Sequence, residues 1–217
     1  MLKLALDVKD EQALKVLCLG AHSDDIEIGC GGSLLKLSEQ YREMDVYWVV
    51  FAAKTKRRKE AEKSARLFLA KAGRREIIIK NFKESFFPYL GGEIKAFFEA
   101  LKKKISPDII FTHYRNDLHQ DHRLISELTW NTYRDHLILE YEVIKYDGDF
   151  GNPNVFVHLD DEICRKKIDI LMDCFKTQAN RDWFTSDAFF SILRVRGIES
   201  KAPERRAEGF YCRKLVL

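Results

Sequence analysis

The chain has 217 residues, 46% of them hydrophobic and 33% charged. That apolar fraction, with fifteen Phe, excludes intrinsic disorder and supports a core that needs no disulfide staples. A net charge of +3 is too small to imply nucleic acid as a partner, and no apolar run is long enough to span a membrane. The opening stretch, Met1 to Asp10, is interrupted by charge too early for a signal peptide, so the expected address is cytoplasmic.

Apolar runs and helical spacings alternate along the chain. Lys15–Ala21 reads as a buried strand, and Gly29 to about Tyr41 as a helix. Asp45–Ala53 is a β-branched and aromatic strand, followed by helical spacing over Arg57–Ala72. Glu76–Lys80 is a strand, Ile94–Ile105 an amphipathic helix, and Asp108–Thr112 a strand. Leu124–Thr132 continues as a helix. Ile138–Lys145 and Asn154–Leu159 read as strands. Asp160–Phe175 is a helix with Asp160 or Asp161 at its N-cap, and Phe210–Leu217 closes the chain as a strand. This order predicts an α/β fold, a mainly parallel sheet with helices on both faces. Such sheets bind ligands beyond the carboxyl ends of their strands, here just after Ala21, Ala53 and Thr112.

Five cysteines, Cys18, Cys30, Cys164, Cys174 and Cys212, include no C-x-x-C pair. A disulfide framework and a thiolate zinc site are therefore not expected, and any metal must be held by His and carboxylate. Two polar segments follow predicted strands: Ala21-His-Ser-Asp-Asp25, and His113 to His122 with the sequence HYRNDLHQDH. Both read as loops. Hydrolytic zinc sites commonly use two His and one carboxylate and leave a position for water. His22, Asp25 and His122 can supply that set. Asp24 is placed to serve as general base, His119 as acid or oxyanion donor, and Asp121 to orient His119. The glycines at Gly29, Gly31 and Gly32 come too late after the strand for a dinucleotide fingerprint, and read as permitting close approach to a helix N-terminus.

These segments resemble a known family. Ala21-His22-Ser23-Asp24-Asp25, with Gly29-Cys30-Gly31-Gly32, looks like the A-H-P-D-D signature of the LmbE-like, or PIG-L, zinc-dependent N-deacetylases. His119-Gln120-Asp121-His122 resembles the second motif, H-P-D-H, with Asp117 before it. Arg57-Arg-Lys-Glu-Ala61 is similar to an R-x-x-E-A element, and Arg206-Ala-Glu208-Gly-Phe210 to an A-E-x-F element. The resemblance implies a Rossmann-like fold, Zn2+ held by His22, Asp25 and His122, Asp24 as base, and His119 assisted by Asp121. It places Arg57 near the substrate mouth. It implies removal of an acetyl group from an N-acetylated amino sugar, a small-molecule partner, and allows a homo-oligomer. Ser23 and Gln120 replace prolines of the pattern. Ile26 replaces its Glu, with Glu27 one position later.

The chain therefore reads as a single catalytic domain over 1–217, with a core and metal motifs in 1–135 and a portion shaping the substrate site in 136–217. Ten basic residues lie between Lys54 and Arg75. Most read as a solvated helix face, while Arg57 and Arg58 are placed to meet a nucleotide-sugar diphosphate. Asp147, or Asp149, is a candidate for binding sugar hydroxyls. The aromatic stretch Phe82–Tyr89 reads as core or subunit contact, or as a pocket wall. His113, His136 and His158 read as structural, with His113 alone near the site. Alternatives are a metal-dependent hydrolase of another amide or a phosphoester, and an inactive sugar-nucleotide-binding protein.

Overall fold

The computed structural model describes residues 3, 4, 6, 12–41 and 43–216. The stretch read for a signal peptide therefore lies mostly outside the described residues, as does Leu217. Seven strands form one sheet in the order β3-β2-β1-β4-β5-β7-β6. They are β1 (Leu14–His22), β2 (Met44–Ala52), β3 (Arg75–Ile79), β4 (Ile109–His113), β5 (Leu137–Tyr141), β6 (Val155–His158) and β7 (Ala207–Cys212). The first five are parallel neighbours, and β7 runs antiparallel between β5 and β6. Six α-helices accompany them: α1 (Asp25–Gln40), α2 (Thr55–Phe68), α3 (Gly91–Lys104), α4 (Gln120–Thr132), α5 (Asp161–Cys174) and α6 (Ser186–Glu199).

Period-two side-chain alternation divides the core between the two faces of the sheet. On β1 and β2, Val16, Cys18, Val46 and Trp48 face the side covered by α1, α2, α5 and α6. Leu17, Leu19, Tyr47 and Val49 face the side covered by α3 and α4. Both faces are thus buried, which is why these strands read as continuous apolar runs. The fold is the expected α/β, Rossmann-like class, and the five cysteines are free thiols.

Several boundaries differ from the sequence expectation, each for a physical reason. Helix α1 starts at Asp25 rather than Gly29; every residue from Asp25 to Leu35 is buried, so no polar face marks its beginning. Helix α4 starts at Gln120, capped by His119, whose imidazole accepts the Asp121 amide N–H. Asp25, Asp121 and His122 therefore stand on helical first turns, not in loops. Strand β5 ends at Tyr141, short of Lys145, and β7 occupies Ala207–Cys212 rather than Phe210–Leu217. Asn154 closes that end, its amide bonding both the N–H and the C=O of Cys212. Helix α6 was not marked by the apolar pattern, because its apolar residues run around it: Phe189 and Leu193 are buried, Val195 and Ile198 exposed. Asp160 caps α5 as expected, accepting from the Ile163 amide at 2.7 Å.

The glycines bring α1 onto its neighbours rather than onto a loop. A Cβ at Gly29 would stand 2.1 Å from the Tyr141 ring. Glu208 of β7 accepts the Gly32 and Ser33 amides and the Ser33 hydroxyl at 2.6–2.8 Å. Lys167 of α5 donates to Glu208 and to the Ile28 carbonyl, both at 2.6 Å. Charges from the C-terminal third thus clasp the middle of α1, the helix that carries Asp25.

Candidate metal centre

The strand order reverses direction between β1 and β4, and the loops leaving these two strands meet there. That is where an open α/β sheet forms its binding crevice. His22 ends β1, Asp25 opens α1, and His122 sits in the first turn of α4. Their donor atoms converge. His22 Nδ1 lies 3.2 Å from His122 Nε2 and 3.5 Å from Asp25 Oδ2, and His122 Nε2 lies 3.6 Å from Asp25 Oδ2. A tetrahedral ion with bonds of about 2.05 Å separates its ligands by roughly 3.3 Å. Three donors at those mutual distances fit one face of such a tetrahedron.

Each imidazole is held from behind by a carboxylate. His22 Nε2 lies 3.1 Å from Asp121 Oδ2, and His122 Nδ1 lies 2.9 Å from Asp117 Oδ2. This fixes which nitrogen of each ring is offered to the centre, the arrangement seen behind metal-bound histidines. Burial lowers the His22 imidazole, but the Asp121 and Asp25 carboxylates outweigh it and raise it to about 10. Burial, with the neighbouring His113, pushes His122 down to about 3. His122 and His113 hold the Asp25 carboxyl well below its ordinary range in spite of burial. Asp121 has no side-chain bond to His119. Its two oxygens take His22 and the amides of Ser85 and Phe87, the last two at 2.6 and 3.1 Å. The expectation that Asp121 orients His119 holds only for its backbone amide: the carboxylate is turned toward His22.

Asp24 occupies the N-cap of α1 without capping it. Its φ of 142° lies in the region that L residues rarely adopt. Oδ1 accepts from Arg57 Nη2 at 3.0 Å, while Oδ2 is buried with no partner. Burial pushes its carboxyl up to about 7, against the pull of Arg57. Arg57 also donates to Ser23, through Nε to Oγ at 2.7 Å and through Nη2 to the carbonyl at 3.2 Å. Ser23 thereby gains a partner that the proline of the family pattern would lack.

His119 is half-buried, stacked on His122 with ring centroids 4.6 Å apart. Because its Nδ1 accepts the Asp121 amide, the proton of the neutral ring sits on Nε2. Burial, then the His22 charge, lower its affinity for a second proton. Donor atoms of His22, His119 and His122 lie within 4.8 Å of one another.

His113 is the site residue that the sequence left among structural histidines. It is fully buried, its Nε2 lies 3.2 Å from Asp25 Oδ2, and its ring stacks on His122 at 3.9 Å. With Asp25 and His122 it forms a second convergent donor group. Its only sequence signal is its place at the end of a strand beside the crevice. Phe87 of the aromatic stretch packs on His22, centroids 5.9 Å apart, as a wall of the centre. Arg58 is turned to Glu62 and to the Ile79 carbonyl, each at 3.0 Å. Asp149 is bound to Lys145, and Asp147 is exposed, with no hydrogen bond to the cluster among the described residues.

Together the sheet and its crevice define a class of protein: an α/β fold with a buried, carboxylate-backed His–Asp–His cluster able to hold a metal ion, and an adjacent carboxylate with one unpartnered oxygen. Residues 17–133 match the PIG-L family, described as GlcNAc-PI de-N-acetylase, and the chain belongs to that family. Membership makes it a hydrolytic enzyme of the N-deacetylase type. Among solved structures it is similar to the N,N'-diacetylchitobiose deacetylase of Pyrococcus horikoshii, at 24% identity and TM-score 0.69, covering 94% of this chain and 85% of that one. It is also similar to a teicoplanin deacetylase in a zinc-inhibited form, at 14% identity and TM-score 0.67, covering 91% and 95%. A 4-carboxy-2-hydroxymuconate hydratase from Pseudomonas putida shares the fold at 16% identity and TM-score 0.75, covering 94% and 98%. No curated protein matches by sequence. Among the described residues, no helix is long and apolar enough to cross a membrane.

Proposed function

We propose that the protein is a zinc-dependent N-deacetylase of an N-acetylated amino sugar. The observation that carries this is the His22–Asp25–His122 triangle, with the unpartnered Asp24 Oδ2 beside it. When bound, zinc supplies a Lewis acid for the acetamide carbonyl and lowers the pKa of a water at the centre. Asp24, raised to about 7, takes the proton of the attacking water on Oδ2; a base near the working pH is the efficient one. His119 donates its Nε2 proton in a hydrogen bond to the developing oxyanion. Asp24 returns its proton to the leaving nitrogen as the C–N bond breaks, giving acetate and a free amine.

The basic residues give little support to a nucleotide-linked sugar. Arg57 holds Ser23 and Asp24, and Arg58 holds Glu62 and Ile79. We favour an uncharged glycoside of the amino sugar. The test is acetate release, with zinc present, from neutral and from UDP-, dTDP- and GDP-linked N-acetyl sugars, with phosphate release followed in parallel. Asp24→Asn keeps its zinc and loses about 10²–10⁴-fold in kcat, and His122→Ala loses both metal and turnover. Full activity in either variant, or release of phosphate without acetate, overturns the proposal.

A further inference from the structure

The connection from β5 to β6, residues 142–154, is bound into the metal centre through one side chain. Lys145 Nζ donates to Asp117 Oδ2 at 2.9 Å and to both oxygens of Asp149 at 2.6 Å, with the Val143 carbonyl at 3.4 Å. The three side chains are 10%, 3% and 7% exposed. The Asp117 oxygen that receives Lys145 is also the one that receives His122 Nδ1 at 2.9 Å. The other Asp117 oxygen accepts the His119 amide at 2.7 Å, and Asp149 Oδ2 accepts the Leu118 amide at 2.6 Å. One ammonium thus stands between two buried carboxylates, at the back of a candidate metal ligand.

We propose that Lys145 is a positioning residue, which fixes Asp117 behind His122 and so joins the 142–154 connection to the metal centre. This rests on the metal-centre assignment above. A buried ammonium is retained only where anions and acceptors use its donors, and here all three donors are used. Without it, Asp117 and Asp149 face each other as uncompensated buried charges. Asp117 then shifts, and His122 loses the partner that sets its tautomer and ring angle. The same connection carries exposed Tyr146 and Asp147, so one ion cluster orders both the metal ligand and a segment beside the crevice. Asp149, read from sequence as a sugar-binding candidate, serves here as the second anchor of that cluster.

The experiment is zinc affinity of the full chain, stripped of metal and titrated with zinc alone against a chromogenic chelator. It needs no substrate and no turnover. Loss of an outer hydrogen-bond partner typically weakens a metal site 10- to 100-fold. Lys145→Met, one step further out, is expected to weaken zinc about tenfold. Lys145→Gln, which keeps an N–H donor for Asp117, is expected to weaken it about threefold and serves if Lys145→Met does not fold. Asp149→Asn leaves the Lys145–Asp117 bond in place and keeps zinc affinity near that of the wild type. Wild-type affinity in either Lys145 variant overturns the inference and leaves the centre standing. An equal loss in Asp149→Asn also overturns it, assigning the effect to the loop. A wild type that binds no zinc overturns both this and the proposed function, whereas tight zinc binding without acetate release overturns the function alone.

Discussion

Asp24 concentrates three unfavourable features in one residue: a φ of 142°, burial, and a carboxylate oxygen with no partner. Each costs free energy, and a backbone outlier of this kind costs about 1–3 kcal/mol. Strain of this kind clusters at functional sites, which agrees with the base role proposed for Asp24. Asp24→Gly removes all three, since glycine tolerates positive φ. It is expected to raise the melting temperature by about 3–6 °C, at roughly 2–4 °C per kcal/mol for a chain of this size, while abolishing turnover. A calorimetric scan showing no rise would sink the strain argument. Arg57 holds the other Asp24 oxygen and Ser23 with a two-pronged guanidinium. A lysine cannot reproduce that fork. Arg57→Lys should therefore keep its zinc and lose about 10- to 100-fold in kcat, read by steady-state kinetics and metal analysis. At this scale the motif spacing exposed His22, Asp24, Asp25, His119 and His122, because ligand chemistry restricts residue type. It did not expose His113 as a member of the cluster, since a histidine ending an apolar strand looks the same whether it packs or supports a ligand. Nor did it show that Asp121 faces His22, which depends on how His119 caps α4.

Elements were legible where burial is one-sided or where both sheet faces are covered. Strands β1, β2 and β4 lie at the centre of the sheet, and their apolar runs survive in the sequence as such. The amphipathic face of α3, with Ile94, Phe98 and Leu101 buried, is equally plain. The start of α1 and the whole of α6 escaped for opposite reasons. The start of α1 is buried all round, and α6 leaves apolar Val195 and Ile198 exposed. The glycines of α1 show what its burial requires. At Gly29 an added Cβ would meet the Tyr141 ring at 2.1 Å, and Tyr141 is held by its hydroxyl on the Leu19 carbonyl at 2.7 Å. Gly29→Ala should cost about 2–3 kcal/mol by overpacking. Gly92, in the first turn of α3, has nothing within 4 Å of its Cβ position. The same substitution there should stabilise by about 0.5–1 kcal/mol through helix propensity alone. Urea midpoints of the two variants should move in opposite directions; a shift of the same sign would refute the packing account.

On the scale of the whole molecule, the C-terminal third is structural as well as peripheral to the site. Strand β5 pairs with β4, and the buried Lys167–Glu208 pair, 2.6 Å apart, binds this third to α1: Glu208 accepts the Gly32 and Ser33 amides, and Lys167 donates to the Ile28 carbonyl. This clasp on α1 predicts that 1–135 and 136–217 unfold as a single cooperative unit. Removing one member of a buried pair leaves an unpaired charge and costs about 3–5 kcal/mol, whereas replacing both partners costs less. Lys167→Met should fall in that range. The double variant Lys167→Met/Glu208→Gln should be more stable than the single, because the Gln oxygen still accepts from α1 and no charge is stranded. Trp48 on β2, Trp130 on α4 and Trp183 between α5 and α6 report on both parts of the chain. Their fluorescence and the far-ultraviolet circular dichroism should lose structure in one coincident transition in the wild type and in both variants. Separate transitions, or a double variant less stable than Lys167→Met, would show that the clasp on α1 does not couple the two parts.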